Sequence, residues 1–327
     1  MTITRRIAGK AVLGAPALLL ARPSLAQGGF PSRAVRIVVP YTPGGVSDIT
    51  ARLIAEPLAA QWGQPVPVEN RAGADGIIGT EVVAKSAPDG HTLALVSVGH
   101  PVNAAYYRLP YDTMKDFSFV TLTTRTPLVI VAGKNFAPST PAELVARAKD
   151  SRAAPVTFAG TGGVVRLAPI LFAQRAEIEL TYVPYRGSTQ AHPDIMAGRV
   201  DIMFDTVPAA LAHIQSGNFK ALATTGAARA PQLPDVPTVG EAFMPGFEAS
   251  TWGMVMGPAN IPAPVLAKLS ADCGAAVMRP DVVARHATLG AEVVRSTPEE
   301  TRRFVQAEME KWGDAARKAG IQPQAAG

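Results

Sequence analysis

One pattern constrains this chain more than any other. Short apolar runs of strand character recur along it, and most are separated by stretches with helical periodicity. The first run, Val35-Arg36-Ile37-Val38-Val39, enters a turn at Pro43-Gly44-Gly45, and a helix is predicted over 48–62. Leu58 and Trp62 then share one helix face, and Pro57 is expected to kink the helix. Further strands are predicted at 66–69, 92–98, 119–131, 156–159, 180–183, 200–204, 220–223 and 252–256. Strands alternating with helices indicate βαβ units and parallel sheets covered on both faces, an α/β fold. Two helix starts are well marked: Thr140-Pro141-Ala142-Glu143 and Thr297-Pro298-Glu299-Glu300 each pair a capping threonine with a glutamate three residues on. The stretch 262–319 reads as nearly all helix, with one short strand at 292–294.

No Pro/Ser-rich linker divides the 327 residues. Instead, the strand-like runs at 119–131 and 251–256 bracket a central α/β block. A discontinuous layout is therefore expected, with 27–125 plus 248–327 as one domain, 126–247 as the other, and the two crossing segments as a hinge.

The first 26 residues have the order of a signal peptide: basic Arg5, Arg6 and Lys10, an apolar run over 11–21, and the small-x-small site Ser24-Leu25-Ala26. Thr4-Arg5-Arg6-Ile7-Ala8-Gly9-Lys10 resembles a twin-arginine signal, although the bulky apolar pair after the arginines is missing, so the Tat and Sec routes both stand. The leader holds four of the 31 basic side chains (Arg22 is the fourth) and no acid, which leaves 27 against 26 acidic, a net charge of +1. No five-residue basic block remains, so nucleic-acid binding has little electrostatic support. The lone Cys273 excludes an internal disulfide and any cysteine-built metal cluster.

The chemistry concentrates in two glycine-rich strand-to-helix turns. The first is Pro40-Tyr41-Thr42-Pro43-Gly44-Gly45-Val46-Ser47-Asp48, where adjacent glycines allow close backbone approach and the helix start offers free N–H groups to a carboxylate or phosphate. Asp48 is placed to cap that helix. The second is Ala159-Gly160-Thr161-Gly162-Gly163-Val164, with Arg166 in the first turn of the helix behind it. Two such turns, one per domain, would grip an anion from both sides; each alone also reads as a plain structural turn. Arg166 either adds a charge there or is a solvated surface residue. Asp205, at the end of the 200–204 strand, either binds an ammonium or hydroxyl group or caps the next helix. Neither turn matches a nucleotide loop, and Gly73-Ala74-Asp75-Gly76-Ile77-Ile78-Gly79 reads as a loop ahead of a helix at 80–86. There is no G-x-S-x-G elbow and no H-E-x-x-H helix. His91, His100, His192, His213 and His286 lack metal-ligand spacing and read as surface or loop residues, while Cys273 reads as core. No metal and no cofactor are expected.

At these motifs the chain resembles the Bug family, periplasmic solute-binding receptors of tripartite tricarboxylate transporters. The likeness runs through Arg36-Ile37-Val38-Val39-Pro40-Tyr41 with Pro43-Gly44-Gly45 and Asp48, Gly63-Gln64-Pro65 with Val68-Glu69-Asn70-Arg71, Gly76 and Gly79, and Pro88-Asp89-Gly90-His91-Thr92-Leu93. It continues in Leu109-Pro110-Tyr111-Asp112 with Asp116-Phe117, Val183-Pro184-Tyr185-Arg186-Gly187, Gly198-Arg199-Val200-Asp201, Leu233-Pro234-Asp235-Val236-Pro237-Thr238, Pro245-Gly246-Phe247-Glu248 and Trp252-Gly253.

The resemblance implies a two-domain periplasmic binding protein, type II-like, each domain a sheet flanked by helices with the ligand cleft at the hinge. Carried over, the ligand-binding positions are Thr42, Gly44, Gly45 and Asp48, then Gly160, Thr161, Gly162 and Gly163, with Ser97 and Asn103 at the end of the third strand and in the loop after it. Asp205 falls where members vary with their ligand. Where the family usually has serine or threonine, this chain has Ala159 and Gly163, and where it usually has histidine, Arg166. The same resemblance implies a periplasmic, monomeric, non-enzymatic receptor for a small organic acid or acidic amino acid, serving integral-membrane permease subunits. A ligand sensor for a signalling partner and an exported hydrolase of small acids are the alternatives.

Overall fold

The computed structural model describes residues 29–161 and 163–325. The leader at 1–26 and Gly162 lie outside the described residues.

The chain begins β1 (Arg36–Val39), α1 (Val46–Trp62), β2 (Val68–Asn70), α2 (Ile77–Ala84), β3 (Thr92–Ser97), α3 (Gly99–Tyr106), β4 (Tyr107–Arg108) and the long β5 (Phe117–Gly133). A central block comes next: α4 (Pro141–Lys149), β6 (Thr157–Gly160), α5 (Gly163–Ala176), β7 (Thr181–Pro184), α6 (Ser188–Met196), β8 (Ile202–Thr206), α7 (Val207–Gln215), β9 (Phe219–Thr224) and α8 (Val239–Ala242). The chain ends in β10 (Ser250–Pro258), α9 (Ala263–Val277), α10 (Pro280–Thr288), β11 (Glu292–Val293), α11 (Pro298–Lys318) and β12 (Gln324–Ala325).

Every strand expected from the sequence is present, but the sheet is mixed rather than parallel. Its order is β2-β1-β3-β10-β5-β8-β6-β7, with β9 and β11 also paired to β5. β1 runs parallel to β2 and β3, and β6 runs parallel to β7 and β8. β10 is antiparallel to both β3 and β5, and β5 is antiparallel to β8 and β9. The reason is connectivity. The chain enters the central block along β5 and returns along β10, so the two crossing strands point opposite ways. They pair from Ser250 opposite Pro127 to Pro258 opposite Phe117. Beyond Pro127, β5 exchanges β10 for β8 and β9, so one strand serves both ends of the sheet.

Two core clusters keep to one end of the sheet each, and a third spans both. One cluster packs β1 and β3 residues Ile37, Val39, Leu93 and Leu95 against α1 and α9, and Cys273 is fully buried in it. Another joins Val129 and Val131 of β5 to α6 and α7. The largest runs along β5 and includes Phe158, Phe172, Phe204, Trp252 and Trp312.

Helix starts explain two displaced boundaries. α1 begins at Val46, capped at Gly45, and continues through Pro57. α2 begins at Ile77, because a tight turn over Ala74–Gly76 delivers the chain with Gly76 at φ +89°. Thr297 and Glu300 form the complete capping box at α11. Thr140 caps α4 through the Glu143 N–H, while the Glu143 carboxylate reaches the Ser139 N–H instead.

Candidate functional site

The first glycine-rich turn leaves β1 and starts α1. Its residues Thr42, Gly44 and Gly45 are exposed. Gly44 has φ +89°, a left-handed conformation open to glycine, and a Cβ built there would meet nothing within 4 Å. No side chain caps α1, so its first-turn N–H groups remain free to bind. Asp48 does not occupy the cap position. It sits three residues inside, only 4% exposed, and reaches back to accept the Gly44 N–H at 2.9 Å. Asn70 Nδ2 donates to its other oxygen at 2.9 Å, Arg52 Nε donates at 3.1 Å, and Asn70 also donates to the Tyr41 carbonyl at 3.2 Å. Burial pushes the Asp48 carboxyl up, but the hydrogen bonds from Arg52, Gly44 and Asn70 outweigh it and hold the group below the usual carboxylate range. Asp48 therefore braces the turn, since both its oxygens are engaged by the protein.

Tyr41 ties this turn to β3 and α3. Its Oη accepts the Ser97 N–H at 3.1 Å and lies 2.9 Å from Ser97 Oγ, which in turn accepts the Gly99 N–H at 3.4 Å. Asn103 lies within α3, not in a loop, and its Nδ2 donates to the Asp75 carbonyl at 2.9 Å. Asp75 itself holds φ +53°, uncommon for a residue other than glycine, and accepts Tyr107 Oη at 2.5 Å. That bond pushes the Tyr107 phenol up to about 12. A Cβ on Gly76 would fall 2.9 Å from Tyr41 Cε1, so Gly76 is glycine through close approach as well as conformation.

The second turn leaves β6 and starts α5. Gly160 is tightly packed: a Cβ there would lie 2.8 Å from Tyr182 Cε2 and 3.3 Å from Arg166 Cα. Gly163 has φ +52° with open space around its Cβ direction, and Thr161 is half-buried. Arg166 is half-buried, not a solvated surface residue. Its Cζ lies 4.5 Å from the centroid of Tyr182 on β7 and 5.6 Å from that of Tyr106, the last residue of α3. Neither Arg166 Nε nor Tyr106 Oη, both buried, has a hydrogen-bond partner among the described residues. Unsatisfied polar groups of this kind cost about 1–3 kcal/mol each.

α3 thus connects the two turns. Tyr41, Ser97 and Gly99 meet at its start, Asn103 and Asp75 along it, and Tyr106 and Arg166 at its end. Asp205 stands apart from this chain of contacts. It is 1% exposed, and its carboxylate accepts Ser188 Oγ at 2.8 Å, His192 Nε2 at 2.8 Å and the Thr206 N–H at 2.9 Å. It caps no helix, because α7 starts after Thr206.

The histidines depart from the surface reading. His91, His100, His192 and His286 are buried, and only His213 is half-buried. His286 Nε2 is 2.8 Å from Thr50 Oγ1 of α1, and His100 Nε2 is 3.1 Å from the Thr113 carbonyl. Among the described residues no three His, Cys, Asp or Glu side chains are grouped to hold a metal ion, and no helix is long and apolar enough to cross a membrane. Burial pushes the Cys273 thiol up to about 12, so it is no nucleophile at neutral pH. An apolar groove of about 450 Å³ beside Arg125, Pro127, Ser250, Met278 and Val283 contains none of the turn residues.

Sequence reasoning did not single out Asp75, Tyr106, Tyr107 or Tyr182. The adjacent pair Tyr106-Tyr107, directly after Asn103-Ala104-Ala105, is the one local signal that points to two of them.

Comparison with known proteins identifies the family. Residues 50–321 match the tripartite tricarboxylate transporter family receptor. BugT of Bordetella pertussis is 36% identical over 296 residues, 89% of this chain and 90% of that protein. A protein of R. palustris solved with adipate is 32% identical, covers 90% of this chain and all of its own, and superposes with a TM-score of 0.74. MatC of Rhodopseudomonas palustris, solved with bound malate, is 35% identical with a TM-score of 0.70, covering 88% of this chain and all of its own. On a match this long and relatives this similar, the chain belongs to the Bug and tripartite tricarboxylate transporter receptor family.

Proposed function

We propose that this protein is a periplasmic solute-binding receptor that captures a small carboxylate between its two glycine-rich turns and delivers it to the permease of a tripartite transporter. The observation that carries the reading is the pair of strand-to-helix turns joined through α3, in a chain whose solved relatives hold adipate and malate. The N–H groups of the α1 and α5 starts supply hydrogen bonds and partial positive charge to the anion. Thr42, Gly44 and Gly45 line one side, Gly160, Thr161 and Gly163 the other, and Ser97 and Asn103 set the floor through Tyr41 and Asp75. Asp48 acts by holding Gly44 in place. Asp205, with three protein donors already on its carboxylate, orders the α6 start instead of touching the ligand.

In this reading residues 27–125 with 248–327 form one domain and 126–247 the other. The antiparallel β5–β10 pair is the hinge, because both crossings of the chain lie there. Closure around the anion is the signal that the permease reads, and no bond is made or broken. The receptor acts as a monomer, exported through its leader by the Tat or Sec route.

A thermal-shift screen of ligand-free mature protein against mono-, di- and tricarboxylates, aromatic acids and amino acids tests this. A ligand at about 100 times its dissociation constant adds roughly 2.7 kcal/mol of stability. A clear shift with one acid class is expected. No shift with any acid, from protein shown to be folded and empty, would reject the receptor reading.

A further inference from the structure

Arg166 carries a charge that nothing beside it answers. It is the fourth residue of α5, in the turn where the helix's own N–H groups already present partial positive charge, so a cation there is electrostatically unfavourable. It makes no ion pair among the described residues, and its buried Nε has no hydrogen-bond partner. Two aromatic rings nonetheless hold it in place, Tyr182 at 4.5 Å and Tyr106 at 5.6 Å from Cζ. Ring faces attract a guanidinium but accept none of its in-plane N–H donors. The buried Tyr106 hydroxyl beside it is also without a partner. A positioned, unneutralised planar fork matches the two oxygens of a carboxylate.

The spacing fits a second carboxylate on the same ligand. Gly163 and Arg166 lie three residues apart and share a helix face, about 4.5 Å along the axis. An acid held at the α5 start by one end therefore brings its other end to the guanidinium if a few carbons separate the two. Resting on the receptor reading above, we infer that Arg166 receives the distal carboxylate and makes this chain selective for short aliphatic dicarboxylates over monocarboxylates of equal length.

Calorimetric titration of the mature chain with glutarate and adipate, against pentanoate and hexanoate, tests the inference. The wild type is expected to bind each diacid about 10- to 100-fold tighter than its monoacid, the range of a charge-assisted pair. Arg166→Met keeps a long apolar stem against both rings; it is expected to bring that ratio near one, with monoacid affinity unchanged within about threefold. Arg166→Lys keeps the charge without the fork and should restore part of the preference, which a purely structural role would not show. If Arg166→Met does not fold, the lysine variant decides: diacid affinity is expected to fall about 3- to 10-fold with the monoacid unchanged, and an equal loss for both overturns the inference. A wild-type preference that survives Arg166→Met also overturns it and leaves the receptor reading standing. Failure of every acid to bind the wild type overturns both.

Discussion

Gly44 and Gly45 are neighbours in sequence, yet alanine should affect them unequally. Gly44 holds φ +89°, whereas Gly45 has φ −76° and ψ 168°, ordinary extended backbone. A methyl group at Gly44 meets nothing within 4 Å, so collision is not the cost. The cost is conformational, about 1–2 kcal/mol for an L residue in left-handed space. If the turn relaxes to escape it, the 2.9 Å bond from the Gly44 N–H to Asp48 is lost, and a hydrogen bond to a charged group contributes about 1.5–3 kcal/mol. Either route places Gly44→Ala at about 1–3 kcal/mol, a drop of roughly 2–10 °C in melting temperature for a chain of this size. Gly45→Ala should stay within about 0.5 kcal/mol, since its backbone suits alanine and the nearest atom to its Cβ is the Thr42 carbonyl oxygen at 4.0 Å. Urea unfolding of the ligand-free proteins at pH 7 measures both. Equal costs, or a larger one at Gly45, would refute the claim that conformation rather than space makes the first glycine necessary.

Asp48→Ala strips an acceptor from Gly44, Arg52 and Asn70 at once; with the arginine itself exposed, the expected loss is about 2–3 kcal/mol, together with weakened ligand affinity, read by urea unfolding and calorimetry. Glu308→Ala orphans the indole N–H groups of Trp252 and Trp312, both buried, and should cost about 2–5 kcal/mol in the same unfolding assay. Burial pushes His100 down to about 4, so its contribution to stability is complete above pH 6.5 and is lost as pH falls from 6.5 toward 4, about 3 kcal/mol in all. His286 is shifted the same way by burial, so His100→Leu should flatten only part of that acid limb in melts taken across the window.

The strands were legible because local side-chain type favours them: β-branched runs such as Val35-Arg36-Ile37-Val38-Val39 suit a pleated, buried surface. Strand direction was not legible, since β10 lies between β3 and β5 through pairings that reach across the whole central block of the chain. The capping threonines could be read directly, because Thr297 and Glu300 complete their contact within four residues. The burial of His286 and His192 could not, because it involves contacts with other elements: His286 meets Thr50 and His192 meets Asp205. The same reason hid the setting of Arg166. Sequence places it in the first turn of α5, but only the tertiary fold brings Tyr106 and Tyr182 to it. For Asp48, position was legible and role was not, since the Asn70 and Arg52 contacts turn a cap candidate into a brace.

Whether both turns grip the anion is tested most directly by a crystal structure of the mature protein with the acid that shifts its melting temperature most. One carboxylate is expected within about 3 Å of backbone N–H groups from both turns, at the starts of α1 and α5. A carboxylate bound to only one turn, or lodged in the groove beside Met278 and Val283, would contradict the two-turn grip.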